Sequence, residues 1–206
     1  MAIIRVLLVD DHQIVRDGLR GILASTDDIV VAAEAADGDR ALALVRGEDY
    51  DVAVLDMSMP GLSGLDLIKR LLIERPKLRL LILSMHGEAQ YAARALKAGA
   101  SGYLNKDSAA EQLVGAIRKI AAGGVHIGEA AAASFVGAAA APHAGLTDRE
   151  FEILRLLAAG GSPTDIAGQL HLSVKTISTH KTHILEKLGL RTTADLVRYA
   201  LENKLA

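Results

Sequence analysis

Residues 3–11 read Ile-Ile-Arg-Val-Leu-Leu-Val-Asp-Asp, an apolar run that ends in two adjacent acidic residues. A second run, residues 51–56, reads Asp-Val-Ala-Val-Leu-Asp and also ends in an acid. Short apolar runs rich in β-branched residues are typical of strands that are buried on both faces of a sheet. These two stretches therefore predict strands of a parallel sheet with carboxylates at their carboxyl ends.

The same pattern continues over about the first 120 residues, where strand-like runs alternate with helical spacing of apolar residues. The first helical stripe consists of Ile14, Val15, Leu19, Ile22 and Leu23. The predicted strands are Ile3–Val9, Ile29–Glu34, Asp51–Leu55, Arg79–Leu83 and Gly102–Leu104. Five strands that alternate with helices predict an α/β domain, residues 1–122, with a five-stranded parallel sheet covered on both faces.

The remainder of the chain changes character twice. Residues 123–145 are rich in Ala and Gly and are predicted to be a linker. Residues 146–206 have helical spacing throughout, with a capping box at Thr147 and Glu150. This part predicts a compact all-α domain of four helices.

The composition excludes several classes of protein. The chain has no cysteine, so a disulfide framework and a thiolate metal site are excluded, and we expect a cytoplasmic protein. The first residues lack the pattern of a signal peptide. No apolar run approaches the roughly 18 residues that a membrane span needs, so no membrane association is expected.

Five chemically active side chains follow the predicted strands, namely those of Asp10, Asp11, Asp56, Ser84 and Lys106. Ligands of open α/β sheets bind beyond the carboxyl ends of the strands. Adjacent carboxylates repel one another unless a cation lies among them. Lys106 supplies one positive charge, and the remaining negative charge suggests Mg²⁺ held by oxygen ligands. A single Asp at a strand end is usually a helix cap or a solvated turn residue, but five matching positions favour a site where a carboxylate attacks a phosphoryl group.

Four segments resemble the signature segments of response-regulator receiver domains. They are Val9-Asp10-Asp11-His12, Leu55-Asp56-Met57-Ser58-Met59-Pro60-Gly61, Leu83-Ser84 and Gly102-Tyr103-Leu104-Asn105-Lys106. The resemblance implies a flavodoxin-like fold for this part of the chain.

The resemblance also implies a role for each matching residue. Asp56 would be the phosphoacceptor, and Lys106 would contact the phosphoryl group. Mg²⁺ would be bound through Asp11, Asp56 and the backbone carbonyl of Ser58, with Asp10 supporting it. Ser84 and Tyr103 would be the switch residues that respond to phosphorylation, although the spacing of Tyr103 alone also fits a core residue.

The second and third helices after Leu146 are separated by a short turn around Leu172 and Ser173. This spacing predicts a helix-turn-helix, whose second helix enters the major groove of DNA. Its predicted DNA-contacting residues are Lys175, Thr176, Ser178, Thr179, Lys181, Thr182 and His183. Periodicity alone equally allows a helical hairpin for protein contacts, whereas His180 and His183 lack a third ligand for a metal.

Four C-terminal segments resemble the LuxR-type helix-turn-helix: Leu146-Thr147-Asp148-Arg149-Glu150, Asp165-Ile166-Ala167, Leu172-Ser173-Val174-Lys175-Thr176-Ile177-Ser178-Thr179-His180 and Lys187-Leu188-Gly189-Leu190. The whole chain is similar to the NarL/FixJ family. The resemblance implies a sensor histidine kinase as phosphodonor, homodimerisation on phosphorylation and binding to double-stranded promoter DNA, with RNA polymerase as a further candidate partner.

Three hypotheses follow for the function. The leading one is a two-component transcription regulator that is switched by phosphorylation of Asp56 and is not an enzyme. The second is a DNA-binding regulator controlled by partner proteins independently of phosphorylation. The third is a small hydrolase with Asp56 as nucleophile, against which the sequence offers no obvious substrate pocket or general acid.

Overall fold

The chain forms two compact units, Met1–Ser134 and Phe135–Ala206, in a computed structural model. The structure describes residues 3–57, 59, 61–62, 64–84, 89–127, 142–203 and 205. Ser58, implied by the resemblance as a backbone ligand of the metal, lies outside the described residues. Residues 128–141 of the predicted linker also lie outside them.

A six-stranded parallel sheet forms the centre of the first unit. Its strands are β1 (Ile4–Val9), β2 (Ile29–Ala35), β3 (Val52–Asp56), β4 (Arg79–Ser84), β5 (Gly102–Asn105) and β6 (His126–Ile127). Their order across the sheet is β2-β1-β3-β4-β5-β6. The five predicted strands and their parallel arrangement are confirmed. The strand β6 was not predicted, because a two-residue strand is too short to show a periodic pattern.

The inner strands are buried over most of their length. Every residue of β3 is buried, and so are the last four residues of β1 and the last five of β4. A strand covered by helices on both faces has no solvent side, which explains the continuous apolar runs. The chain order reverses between β1 and β3, so the crevice for a ligand lies beyond their carboxyl ends.

Five α-helices in the described part of this unit accompany the sheet. They are α1 (Gln13–Leu23), α2 (Gly38–Gly47), α3 (Gly64–Glu74), α4 (Ala89–Lys97) and α5 (Ala109–Ala121). On α1, Leu19 and Leu23 are buried, whereas Ile14 is 84% exposed. The predicted helix is confirmed, but Ile14 does not share its buried face. The charged residue Arg16 lies on that face instead.

Four α-helices make up the described part of the second unit after Leu146. They are α6 (Asp148–Ala158), α7 (Pro163–Gln169), α8 (Val174–Leu188) and α9 (Thr193–Glu202). The predicted capping box is present, because Thr147 Oγ1 accepts a hydrogen bond from the Glu150 amide and Glu150 Oε2 accepts one from the Thr147 amide. Gly189 ends α8 in a left-handed conformation with φ of 66°. The predicted all-α domain is therefore confirmed.

The second unit has its own apolar core, to which Phe151, Ile177, Ile184 and Leu196 each contribute a fully buried side chain. Each such side chain contributes about 1.5–3 kcal/mol on burial. A short 3₁₀ helix, Pro142–Gly145, precedes α6 and was not predicted. Within the described residues, no helix is both long and apolar enough to cross a membrane.

Candidate functional site

Four strands of the sheet present polar side chains at their carboxyl ends. Asp56 ends β3 and Ser84 ends β4, while Asp10 directly follows β1 and Lys106 directly follows β5. Because β1, β3, β4 and β5 are parallel neighbours, these residues all lie at the same edge of the sheet. The structure thus places them where the sequence analysis expects a site.

Three acidic side chains and one imidazole converge at this edge. One ligand atom from each of Asp10, Asp11, His12 and Asp56 lies within 4.8 Å of the others. Asp10 is 1% exposed and Asp56 is 3% exposed, so both carboxylates are almost fully removed from water. Burying charged groups this closely is costly unless cations or hydrogen-bond donors accompany them.

Lys106 supplies the nearest positive charge. Its Nζ atom lies 2.7 Å from Asp10 Oδ2 and 3.0 Å from Asp56 Oδ2. Burial lowers the pKa of Lys106, but the hydrogen bonds and charges of Asp10 and Asp56 outweigh burial and raise it above its ordinary value. Lys106 therefore stays an ammonium ion at neutral pH, and its single positive charge lies between the carboxylates of Asp10 and Asp56.

The remaining oxygen atoms suit a hard divalent cation. Asp10 Oδ1 accepts a hydrogen bond of 2.8 Å from the His12 amide. Asp11 Oδ1 is buried and accepts no hydrogen bond from any described residue, although His12 Nδ1 lies 3.0 Å away. A buried carboxylate oxygen without a donor, beside two further carboxylates, is the environment that Mg²⁺ would complete. The donor set therefore fits Mg²⁺.

The two expected switch residues are both buried. Ser84 and Tyr103 are each 2% exposed. Tyr103 pairs with Ile82 of β4 in the sheet, two positions before the end of that strand at Ser84. The Tyr103 ring therefore lies inside the protein in this structure.

His12 was not predicted as a member of this group. The imidazole follows the acidic pair directly, and this adjacency was the available signal. Its side chain is 65% exposed, and Nδ1 lies within 3.4 Å of one oxygen from each of Asp10 and Asp11. His12 therefore lies at the solvent side of the pocket.

The second candidate site is the helix pair α7 and α8. Ser162 caps α7 and Ser173 caps α8, each by accepting a hydrogen bond from the amide three residues later. Between the helices, the amide of Leu172 donates to the Ala167 carbonyl, and His171 adopts a left-handed conformation with φ of 52°. This short turn fixes the two helices in a helix-turn-helix.

The predicted DNA-contacting residues lie on the outer side of α8. Lys175, Ser178, Thr179, Thr182 and His183 are exposed, and Thr176 and Lys181 are half-buried. The intervening residues Ile177 and Ile184 are buried in the core.

The hydroxyl groups on this face have a common orientation. Those of Ser178, Thr179 and Thr182 each donate a hydrogen bond of 3.0–3.1 Å to the carbonyl four residues earlier. Their oxygen lone pairs remain as acceptors, while the lysines supply donors.

An ion pair between a buried carboxylate and a partly exposed lysine holds α8 against the start of α6. Lys187 Nζ lies 2.7 Å from Glu150 Oε2, and Glu150 is 3% exposed. Burial raises the pKa of Glu150, but the hydrogen bonds from Lys187 and Thr147 outweigh burial and lower it. Glu150 was predicted as a capping residue only, because its pairing with Lys187 links positions 37 residues apart.

The two units match two different family models. Residues 6–118 match the response regulator receiver domain, and residues 144–200 match the bacterial regulatory proteins of the luxR family. The oxygen regulatory protein NreC of Staphylococcus epidermidis is 39% identical over 98% of both chains. The transcriptional regulatory protein MctR of Rhizobium johnstonii is 38% identical over 97% of this chain and 94% of its own.

Solved structures show the same architecture. RcsB of Salmonella typhimurium aligns with a TM-score of 0.80 and 29% identity, over 98% of this chain and 99% of its own. ChrA, from a heme-sensing two-component system, aligns with a TM-score of 0.56 and 35% identity over 100% of both chains. The chain therefore belongs to the NarL/FixJ family of two-component response regulators, in which a receiver domain is joined to a LuxR-type helix-turn-helix domain that binds DNA.

Proposed function

We propose that Asp56 accepts a phosphoryl group from a sensor histidine kinase in a Mg²⁺-dependent reaction, and that this modification switches homodimerisation and promoter binding in the cytoplasm. The receiver comprises residues 1–122, the linker 123–145 and the DNA-binding domain 146–206. The observation that carries the proposal is the ammonium of Lys106, which lies between Asp10 and Asp56 in a pocket with excess negative charge.

The chemistry follows from the position of Asp56 at the centre of the carboxyl edge. A carboxylate oxygen of Asp56 attacks the phosphorus of a phosphohistidine, the P–O bond forms as the P–N bond breaks, and the departing imidazole takes a proton from water. Lys106 remains protonated, because its pKa is raised, and neutralises a phosphoryl oxygen without losing its proton.

Asp11 and Asp56 are the proposed side-chain ligands of Mg²⁺, with the Ser58 carbonyl as a third ligand and Asp10 in support. Bound Mg²⁺ supplies positive charge beside the oxygens of the transferring group. Asp10 supports the site by holding Lys106 at 2.7 Å and the His12 amide at 2.8 Å.

Ser84 and Tyr103 are the proposed switch residues that connect phosphorylation to the surface. The Ser84 hydroxyl would move to bond the phosphoryl group, and the Tyr103 ring would occupy its inward position. Both side chains are already buried near the end of β4, which supports an arrangement that favours the inward ring. Phosphorylation would then shift a pre-existing equilibrium toward the dimer.

Promoter DNA is the proposed ligand of α8, through the seven residues of its outer face. The region 146–206 carries 8 Lys and Arg against 7 Asp and Glu, a balance of only +1. Few phosphate contacts imply modest affinity for one copy, so a dimer on two half-sites would share the binding. The comparison with RcsB supports this proposal, since RcsB has been solved in complex with DNA and on a promoter with a phosphomimetic. RNA polymerase is a candidate partner of the DNA-bound dimer.

Sedimentation of the full chain with Mg²⁺, with and without beryllofluoride, tests the proposal. Beryllofluoride stands in for the phosphoryl group on Asp56. We expect a monomer-to-dimer shift in the wild type and none in Asp56→Ala. Asp39→Asn is the control, because it removes an exposed carboxylate in the first turn of α2 and should shift like the wild type.

The same variants distinguish phosphorylation-dependent regulation from the alternative functions. If Asp56→Ala and the wild type bind promoter DNA and drive transcription equally, control by partner proteins independent of phosphorylation becomes the better explanation. Turnover of phosphomonoesters that is lost in Asp56→Ala would instead favour a hydrolase.

A further inference from the structure

Arg16 is a charged residue on the buried face of α1. It is 8% exposed and interacts with three different parts of the receiver. Its Nη1 atom donates a hydrogen bond of 2.5 Å to the backbone carbonyl of Asp10, and its Nε atom donates one of 3.2 Å to Glu34 Oε2 on β2. Its Nη2 atom donates a hydrogen bond to Gln13 Oε1. Burying a guanidinium is costly because it loses its hydration. The hydrogen bonds to these partners must therefore have good geometry to offset that cost.

The carbonyl that Arg16 holds belongs to the peptide joining Asp10 to Asp11. This peptide is planar, so fixing its oxygen fixes the orientation of the whole unit and the direction in which the Asp11 Cα follows. The Asp10 amide on the other side is held by the Ala35 carbonyl of β2 at 3.2 Å. The backbone at Asp10 is thus held from β2 on one side and from Arg16 on the other.

Asp11 has few restraints of its own. Its Oδ1 atom accepts no hydrogen bond from the described residues, and the His12 Nδ1 atom 3.0 Å away belongs to a side chain that is 65% exposed. Apart from this exposed imidazole, the direction of the Asp11 carboxylate is set by its backbone.

We propose that Arg16 is a positioning residue for the metal site: by holding the Asp10 carbonyl, it aims the Asp11 carboxylate at the cation. Glu34 positions Arg16 in turn. This inference rests on the proposed function, in which Asp11 is a ligand of Mg²⁺.

Electrostatics and positioning predict opposite results when Arg16 is removed. The guanidinium is a positive charge near a cation site, so its loss should strengthen cation binding if charge alone matters. If Arg16 positions Asp11, its loss should weaken binding, as the loss of an outer hydrogen-bond partner typically does by 10–100-fold in metal sites.

Arg20 provides a matched control. It donates to the same carboxylate, Glu34 Oε1, at 2.7 Å, but is half exposed and makes no described contact with Asp10. Arg20→Gln therefore removes an equal charge from the same network and leaves the Asp10 carbonyl bond in place.

The experiment measures Mn²⁺ binding to the full chain by electron paramagnetic resonance of the free ion. We expect Arg16→Gln to raise the Kd for Mn²⁺ about tenfold or more, and Arg20→Gln to leave it unchanged. Arg16→Lys keeps the charge but has one donor group in place of the planar guanidinium, so it should give an intermediate Kd. This variant also carries the test if Arg16→Gln does not fold, which urea unfolding followed by circular dichroism reports.

The outcomes separate the inference from the proposed function. Wild-type or tighter Mn²⁺ binding by the folded Arg16 variants overturns the positioning role, and so does equal weakening by Arg20→Gln. The wild type and Asp56→Asn give a separate comparison. If they bind Mn²⁺ equally, or if neither binds, the proposed metal site is wrong and the positioning role is wrong with it.

Discussion

Replacing Lys106 by Met should lower the free energy of unfolding of the receiver, because the buried carboxylates of Asp10 and Asp56 lose their cation. The ammonium lies 2.7 Å from Asp10 and 3.0 Å from Asp56, and all three side chains are largely buried. At an effective dielectric constant of about 20, each contact is worth about 5–6 kcal/mol of attraction before desolvation. Desolvation of the ammonium offsets several kcal/mol of this sum, so breaking the cluster should destabilise the receiver by about 3 kcal/mol.

Urea unfolding of the wild type and Lys106→Met at neutral pH, with and without millimolar Mg²⁺, measures this cost. Mg²⁺ should reduce the loss, because a bound cation replaces the missing positive charge. Lys97→Met is the control. Lys97 is exposed at the end of α4, so this variant should lose little stability. A Lys106→Met chain as stable as the wild type, or one whose loss does not respond to Mg²⁺, would refute the reasoning.

Three further predictions concern the DNA-binding unit. Glu150→Gln should cost about 1 kcal/mol, because the hydrogen bond from the partly exposed Lys187 loses its charged acceptor. Since the folded pKa of Glu150 is lowered, its contribution to stability is present above the ordinary Glu pKa and is lost as pH falls through the folded pKa, which acid unfolding of the two proteins will show. His171→Gly should raise stability by roughly 0.5–1 kcal/mol in thermal melts, because φ of 52° strains a residue with a Cβ atom; a lower melting temperature would contradict this. If Lys175 contacts a phosphate, Lys175→Ala should weaken binding to every DNA sequence alike. It should also reduce the slope of the logarithm of the binding constant against the logarithm of the salt concentration by about 1. A loss confined to one operator would instead indicate contact with a base.

Much of the receiver can be predicted because its signals are local. The apolar runs of β1 and β3 and the acids that end them are contiguous in sequence, and parallel strands must bring such ends together. The caps at Thr147 and Ser173 also lie within four residues of the amides that they accept from. Local patterns of this kind fix the helix boundaries of the second unit.

The features that were missed depend on distant partners. Arg16 is buried because Glu34, 18 positions away, and the Asp10 carbonyl receive its donors, while Ile14 lies on the exposed side of the same helix. His143 is buried because its Nδ1 lies 2.7 Å from the Tyr199 hydroxyl, 56 positions away. The general expectation is that charged residues lie outside and apolar residues inside. This expectation fails where a specific partner offsets the free energy of burying a charged side chain.

The hydroxyl groups along α8 give that surface a definite chemical polarity. Ser178, Thr179 and Thr182 use their protons inside the helix, so towards the outside they offer lone pairs. In the major groove, the exocyclic amino groups of adenine and cytosine are donors, whereas guanine O6 and N7 and thymine O4 are acceptors. A lone pair facing one of those acceptors is repelled unless the hydroxyl first gives up its bond to the helix. The hydroxyl groups would therefore disfavour bases that present acceptors to them. Hydrogen bonds to those acceptors would come from the lysines instead.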